Sequence, residues 1–260
     1  MNPTLDLFFF DVPLYTALIA LACAIGLLTA YLYLRLRARR GVPRDLFLSG
    51  AVFVFAASWL GARGEYVALN WNYYAARPDE IAQFGAGGLG LRGALIAGFF
   101  ALAVFAWLHK IYFWKIFDGA ALGLTLAQSI GWIGALARGA NYGAVSDSRI
   151  ALELPDIYGL IAPRWPVQHA AIGFFALLFL ALIAFAARHP RAGALGLIAI
   201  SASVWGNFAL GFYRGDEIFF IGNLRGDQML DAGLGVLALW VLVWKTWRTQ
   251  REMRIENAGQ

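Results

Sequence analysis

The chain has little charge and almost no cysteine. Only 14% of its 260 residues are charged, whereas 60% are hydrophobic, and its mean hydropathy is +0.63. Soluble domains contain about 25% charged residues, so this composition excludes a disordered chain and leaves no room for a large soluble domain. The single cysteine, Cys23, excludes a disulfide framework or a cysteine-based zinc site, and we expect it to pack as a small apolar side chain.

Common catalytic and metal-binding motifs are lacking as well. The sequence contains no HExxH, GxSxG, Walker or CxxC pattern, so we expect no metal. Of the three histidines, His109 and His189 flank basic residues at the ends of apolar runs, and only His169 is placed for chemistry at the outer face. The net charge of +5 is not by itself a signal of nucleic-acid binding, because basic residues at span ends serve to set membrane topology, and we expect no nucleic-acid partner.

Seven apolar runs dominate what is present, and each is roughly long enough to cross a bilayer. They cover about residues 13–34, 46–62, 93–108, 116–136, 167–187, 194–213 and 229–247. The first run is too long for the core of a signal peptide, so we interpret it as a retained span. The sequence therefore predicts an all-α integral membrane protein with a single membrane domain over 1–260 and a polar outer-face segment at 138–164.

Basic residues concentrate on one side of these seven spans. That side holds 13 of the 21 lysines and arginines, at 35–44, 110–115, 188–191 and 245–254, with 4 of the 16 acidic residues. The other side is left with 8 basic and 12 acidic residues. By the positive-inside rule, this asymmetry places the N-terminus outside and the C-terminus in the cytoplasm.

The stretch GWIGALARGANYG at 131–143 ends the fourth run and combines four glycines with Arg138 and Asn141. Glycines let helices pack closely, or let a helix unwind beside a polar cavity. Other polar residues share this position near the predicted outer ends of spans: Arg63, Glu65, Arg92, Arg138, Arg164, Asn207, Arg214 and Gln228. Charges at membrane depth usually mark a site.

A ring of arginines suggests an anionic lipid headgroup as the ligand, because the planar guanidinium binds two phosphate oxygens at once. The alternative is that each arginine merely extends to the surrounding headgroups. This alternative stays open for Arg164 and Arg214, whereas the glycine-rich apolar surroundings of Arg63 and Arg92 favour a pocket. Glu65 is either the partner of Arg63 or an acid lining the cavity.

The sequence resembles the prolipoprotein diacylglyceryl transferase family over nearly its whole length. The resemblance rests on GARGEYV (61–67), GGLGLRGALIAG (87–98), Asp118, the glycine frame at 131–143, PRWPVQ (163–168), GFYRGDE (211–217) and GDQML (226–230). It implies a seven-span protein of the bacterial plasma (inner) membrane. It also implies an outer-leaflet reaction that moves diacylglyceryl from phosphatidylglycerol to a lipobox cysteine thiol, with release of glycerol phosphate.

This chain departs from the family at most positions to which the resemblance assigns chemistry. Arg92 takes the family's histidine position. Other departures are Trp132 for arginine, Ala135 for asparagine, Ala140 for glutamate, Ala170 for tyrosine, Ala171 for glutamate, Asn207 for arginine and Gly211 for glutamate. Family residues kept are Arg63, Tyr66, Gln168, Arg214 and Gln228. Arg138 lies six residues after Trp132, about 240° around an ideal helix, so it does not replace the lost arginine on the same face.

Two hypotheses follow. The first is a catalytically degenerate member that binds a phosphatidylglycerol-type lipid and serves as an accessory subunit of a membrane-protein assembly. Its headgroup-binding residues would be Arg63, Tyr66, Arg92, Arg138, Asn141, Gln168, Asn207, Arg214 and Gln228. The second is an active transferase, acting on a lipobox preprotein through relocated groups at Arg92, Glu65, His169 and Arg138. A small-solute transporter is less well supported, because no inverted repeat or pair of intramembrane carboxylates is evident.

Overall fold

Long helices account for most of the chain. The computed structural model describes residues 4–7, 10–37, 42–83 and 88–258. Seven helices in this part are long and apolar enough to cross a membrane, which confirms the predicted number of spans. They are α1 (Leu14–Arg37), α2 (Arg44–Leu69), α4 (Leu91–Leu108), α5 (Phe113–Arg138), α6 (Val167–Ala187), α7 (Ala194–Gly211) and α8 (Gly226–Ala258).

Short elements fill the connections. Helix α3 (Trp71–Tyr74) follows α2 directly, and a 3-10 turn covers Pro78–Glu80. Three antiparallel hairpins are formed by β1 (Thr4–Leu7) with β2 (Phe10–Pro13), β3 (Leu152–Pro155) with β4 (Ile161–Arg164), and β5 (Phe220–Ile221) with β6 (Leu224–Arg225). The β3–β4 hairpin lies in the segment 138–164, for which the sequence predicted polarity but no strands.

The chain divides into two compact units, with boundaries inside α1 and α5. Unit 1 comprises residues 1–30 and 118–260, and unit 2 comprises residues 31–117. The single membrane domain over 1–260 that the sequence analysis described stays a prediction.

Unit 2 is built on a close crossing of α2 and α4 at two glycines. A Cβ atom on Gly61 would lie 2.4 Å from the carbonyl oxygen of Gly93, and one on Gly93 would lie 2.2 Å from the carbonyl oxygen of Gly61. Small residues allow such contact between membrane helices, where backbone packing replaces the hydrophobic effect as the driving force. Phe99, Phe113 and Phe117 pack their rings together in the same unit.

Unit 1 contains a similar close contact between glycines, where α1 meets α5. A Cβ atom on Gly123 would lie 2.2 Å from the carbonyl oxygen of Gly26. In the same unit, the buried Asp118 carboxylate accepts hydrogen bonds of 2.7 Å from the backbone N–H groups of Gly193 and Gly196. These donors are otherwise unsatisfied at the start of α7, so Asp118 caps that helix from α5.

Helix α2 continues to Leu69, seven residues beyond the predicted end at 62. The predicted span ended at Ala62, directly before Arg63. The helix continues because Arg63 is buried and fully engaged by the following loop, as described next.

Candidate functional site

Arg63 joins α2 to the loop that precedes α4. Its Nε donates to the carbonyl oxygen of Ile81 at 2.9 Å, and Nη2 donates to that of Glu80 at 2.8 Å. The guanidinium also lies 5.2 Å from the ring centroid of Tyr74 and 5.9 Å from that of Tyr66. These contacts satisfy a buried charge with carbonyl dipoles and aromatic faces. They also bring together two of the predicted headgroup-binding residues, Arg63 and Tyr66.

Glu65 lies near the end of α2 and contacts the start of α4. Its Oε2 accepts a hydrogen bond of 2.7 Å from the backbone N–H of Gly93, in the first turn of α4. A carboxylate is favoured there, because the N-terminal N–H groups of a helix are unpaired and carry partial positive charge. Arg92 precedes Gly93 and is buried in the same turn.

Unit 1 contains a compact ionic cluster made by two Arg-Gly-Asp tripeptides, at 214–216 and 225–227. We call Arg214, Asp216, Arg225 and Asp227 the RGD square. Arg214 donates to Asp216 at 2.6 and 2.7 Å and to Asp227 at 3.0 Å. Arg225 donates to Asp216 at 3.0 Å and to Asp227 at 3.2 Å. Every arginine thus contacts both carboxylates.

Arg214, Asp216 and Arg225 lie in the connection between α7 and α8, and Asp227 lies in the first turn of α8. Burial by itself would raise the pKa of Asp216, but the hydrogen bonds and positive charges of Arg214 and Arg225 outweigh it and hold this pKa below its ordinary value. Arg214 also donates to Oδ1 of Asn141 at 2.9 Å, which brings together two residues predicted from separate stretches. Asn141 has a φ of +53°, a conformation that asparagine tolerates better than most residues.

Sequence reasoning missed Asp216, Arg225 and Asp227. A signal for them exists, because the same tripeptide occurs twice within fourteen residues and therefore supplies two cations and two anions at matching intervals. The pairing of β5 with β6 brings the second tripeptide back to the first, and this pairing could not be predicted from the sequence.

A second ion pair fixes the β3–β4 hairpin. Arg164 donates through Nη2 to Oδ2 of Asp156 at 3.0 Å, with both side chains buried, and its guanidinium lies 4.7 Å from the ring centroid of Tyr142. Burial, followed by the negative charges of Asp156 and Asp216, raises the pKa of Tyr142. This phenol therefore remains protonated at neutral pH.

The two glutamines kept from the family bridge backbone segments. Nε2 of Gln168 donates to the carbonyl oxygen of Ala140 at 3.1 Å. Nε2 of Gln228 donates to the carbonyl oxygen of Phe208 at 2.9 Å, and its Oε1 accepts from the N–H of Arg225 at 3.0 Å. Among the described residues, the buried Oε1 of Gln168 and Nε of Arg164 have no hydrogen-bond partner.

The other predicted residues occupy separate surroundings. Asn207 is buried in α7, whereas His169 is exposed in the first turn of α6. Arg138 is exposed at the end of α5, with its guanidinium 5.1 Å from the ring centroid of Tyr15. In the described part of the chain, no three His, Cys, Asp or Glu side chains group as metal ligands. The assignments of catalytic and headgroup-binding roles stay predictions.

An apolar cluster occupies part of the interior of unit 1. Its buried members are Trp132, Ala135, Ala171 and Phe175, and Ala140 and Leu210 are among the partly buried residues packed against it. Trp132, Ala135, Ala140 and Ala171 are four of the positions at which the chain departs from the family it resembles. Three separate stretches of sequence therefore converge on one apolar core.

Fold and site together define a multi-pass membrane protein that buries paired charges in the connections at the ends of its spans. Residues 4–244 match the family model described as prolipoprotein diacylglyceryl transferase. The chain therefore belongs to the prolipoprotein diacylglyceryl transferase family.

Curated relatives agree with this membership. A phosphatidylglycerol–prolipoprotein diacylglyceryl transferase of Geobacillus kaustophilus is 32% identical over 249 residues, which cover 88% of this chain and 87% of the relative. The protein of the same name from Thermosynechococcus vestitus is 28% identical over 252 residues, covering 92% and 90% of the two chains. A third, from Clostridioides difficile, is 29% identical over 235 residues, with 89% of each chain covered.

Proposed function

We propose that this protein is a phospholipid-binding member of the family that does not perform diacylglyceryl transfer with the family's residues. In this proposal it resides in the bacterial plasma membrane and serves as an accessory subunit of a larger membrane-protein assembly. The observation that carries the proposal is the apolar cluster around Trp132, Ala135 and Ala171.

Transfer to a thiol requires a group that activates the thiol and cations that hold the departing phosphate. Trp132, Ala135 and Ala140 have neither ionisable nor hydrogen-bonding groups suited to those tasks, and they pack against other apolar residues. Loss of a single transition-state donor typically costs a factor of ~10²–10³ in rate. Loss of several at once would remove useful transfer.

Seven buried side-chain polar atoms lack hydrogen-bond partners among the described residues, and two of them, Oε1 of Gln168 and Nε of Arg164, support lipid binding. Buried polar atoms usually have hydrogen-bond partners. A glycerol hydroxyl is a suitable donor for the glutamine oxygen, and a phosphate or ester oxygen is a suitable acceptor for the guanidinium N–H. A phosphatidylglycerol-type headgroup contains both kinds of group.

The second candidate is an active transferase with relocated groups, and it is favoured by the 32% identity to a relative with that activity in its name. Arginine is always protonated and cannot act as a base, which excludes Arg92 and Arg138 from that role. Glu65 already accepts the N–H of Gly93. The exposed His169 is thus the residue best placed to activate a thiol in this alternative.

Measurement of glycerol phosphate release separates the two candidates. The purified protein would be placed in nanodiscs containing phosphatidylglycerol and given a lipobox peptide, with an active family enzyme as the positive control. We expect release no greater than in the reaction without peptide, while native mass spectrometry detects a retained anionic phospholipid. Affinity purification from native membranes would then be expected to yield a membrane-protein partner in fixed stoichiometry.

Turnover comparable with the control enzyme would overturn the degenerate assignment. In that case, His169→Ala and Arg92→Ala should each abolish turnover, with His189→Asn as the matched control at a distant histidine of positive φ. A folded protein with neither turnover nor retained lipid would contradict both candidates.

A further inference from the structure

The β3–β4 hairpin of unit 1 ends in an uncharged apolar tip, which we define as residues 157–161. Tyr158 is 80% exposed, Leu160 65% and Ile161 64%, and Ile157 is also exposed. Residues 157–163 read IYGLIAP and contain no charge. So many large apolar side chains exposed on one short turn indicate a surface that another apolar phase covers.

Hydrogen bonds to the Asp156 side chain and backbone fix the conformation of the tip. Oδ1 of Asp156 accepts hydrogen bonds from the N–H groups of Tyr158 at 2.9 Å and Leu160 at 3.0 Å. The N–H of Gly159 donates to the carbonyl oxygen of Asp156, and the N–H of Asp156 donates to that of Leu160, both at 3.0 Å. Oδ2 of Asp156 pairs with Arg164.

The backbone hydrogen bonds of the turn determine whether the tip can enter lipid. Three successive N–H groups of the turn, at 158, 159 and 160, are paired within the hairpin. Irregular backbone enters lipid only if its polar groups are satisfied by the protein. The turn meets that requirement at these donors, and its exposed side chains carry no charge that would have to leave water.

The hairpin also lies at the correct height. Helix α5 has 26 residues, or about 39 Å at 1.5 Å per residue, close to the full thickness of a bilayer with its headgroups. Gly139 follows α5 directly, and a Cβ atom there would lie 2.3 Å from the carbonyl oxygen of Asp156. The base of the tip therefore rests on the end of a span, at headgroup level.

The first turn of α6 marks the same level, because Gln168 donates to the carbonyl oxygen of Ala140. Below this level, Ile133 of α5 and Leu177 of α6 expose their side chains, as lipid-facing residues of spans do. The tip and the exposed positions of α5 and α6 in unit 1 thus both carry apolar side chains.

From this geometry we infer that the hairpin tip inserts into the interfacial layer of the bilayer and anchors the segment 138–164 to the membrane surface. Tyr158 is the kind of residue enriched at this boundary, where an apolar ring and a polar hydroxyl are both accommodated. Amphipathic elements of this kind lie about 5–10 Å into the boundary between headgroups and acyl chains. The inference holds for either candidate function.

Site-specific fluorescence tests the insertion. In a Cys23→Ser background, Tyr158→Cys and Leu160→Cys variants would each be labelled with an environment-sensitive nitrobenzoxadiazole dye. Asp147→Cys is the matched control, an exposed charged position in the same segment. Each protein would be placed in nanodiscs of phosphatidylcholine and phosphatidylglycerol, with and without lipids that carry a nitroxide quencher near the top of the acyl chain.

We expect dye at 158 and 160 to emit at shorter wavelength and to be quenched by the nitroxide lipid, and dye at 147 to emit as in water without quenching. Thermal unfolding of each labelled protein checks its fold, and the two tip positions guard against one variant failing to fold. Water-like emission at both tip positions would overturn the inference. So would equal quenching at 147, or a tip that leaves water only when a second membrane protein is added, since that surface would be a protein-docking site.

Discussion

Arg63, Arg164 and Arg214, which are buried or partly buried, make different kinds of contact. Arg63 donates to backbone carbonyls of a loop, Arg164 forms a single ion pair within a hairpin, and Arg214 shares two carboxylates with Arg225. A headgroup phosphate would have to compete with these existing acceptors for Arg63 and Arg214. Nε of Arg164 has no such competitor among the described residues, which makes Arg164 a stronger phosphate candidate than the sequence alone suggested.

Removal of one partner from the buried pair of Arg164 and Asp156 should destabilise unit 1. Arg164→Met leaves the Asp156 carboxylate buried without its cation, and such a change typically costs ~3–5 kcal/mol. Thermal unfolding in mild detergent measures the effect. Arg149→Met, at an exposed arginine of the same segment, is the control and should unfold like the parent protein. Equal unfolding temperatures for the two variants would show that the pair contributes nothing.

Low pH should destabilise the protein through Asp216. Since the folded-state pKa of Asp216 is lowered from 3.8, the ionised carboxylate stabilises the fold fully above that value, and the contribution disappears as the pH falls through the folded pKa. The unfolding temperature should therefore decrease as the pH falls below about 5. Asp216→Asn should flatten this part of the profile, whereas Asp147→Asn should leave it unchanged. An identical slope in Asp216→Asn would refute the assignment.

At the scale of elements, glycine pairs set the distance between helices in each unit. Gly61 meets Gly93 in unit 2, and Gly26 meets Gly123 in unit 1. The backbones touch at both places, so an added methyl group has no space unless the helices separate.

Gly61→Ala should accordingly weaken unit 2. We expect a loss of about 1–3 kcal/mol, because the new methyl group would lie 2.4 Å from the Gly93 carbonyl oxygen. Gly64→Ala is a matched control in the same helix, since nothing lies within 4 Å of its added Cβ, and its better helix propensity predicts no loss or a gain of up to about 1 kcal/mol. Thermal unfolding in nanodiscs gives both values. Equal unfolding temperatures for the two variants would show that the close contact of Gly61 with Gly93 does not contribute to the stability of unit 2.

The elements differ in how well the sequence predicts them. Apolar runs of span length identify all seven long helices, because the bilayer imposes one length and one composition on each. The end of α2 was not predictable, because Arg63 continues the helix only by finding carbonyl partners 17–25 residues further along the chain. The strands β3 to β6 have two to four residues each, too few for an alternating pattern to stand out.

The candidate site divides in the same way. Arg63, Asn141 and Arg214 were found from residue type and position near span ends, and Tyr66 was found from the family resemblance. Their partners were not, because Arg225 and Asp227 are reached only through the return of the β5–β6 hairpin. The sequence analysis identified Trp132, Ala135, Ala140 and Ala171 as departures from the family. It did not predict that they pack into one core, because packing joins stretches that are remote in sequence.

At the scale of the whole molecule, the distribution of basic residues predicts an external N-terminus and a cytoplasmic C-terminus. In a Cys23→Ser background, Asp147→Cys should react with a membrane-impermeant maleimide applied to intact spheroplasts. His109→Cys, at the other predicted side, should react only after the membrane is opened. The reverse pattern would invert the topology.

The RGD square has an electrostatic consequence. It combines two guanidinium and two carboxylate groups within hydrogen-bonding distance, so its net charge is zero and its field decays faster with distance than that of an isolated charge. Bulk electrolyte, which screens charges beyond about 8 Å, has almost nothing to screen here. A lipid diffusing laterally through the leaflet would meet this square without having been attracted from a distance. Its retention would depend on fit at contact and would stay nearly constant from low to high salt.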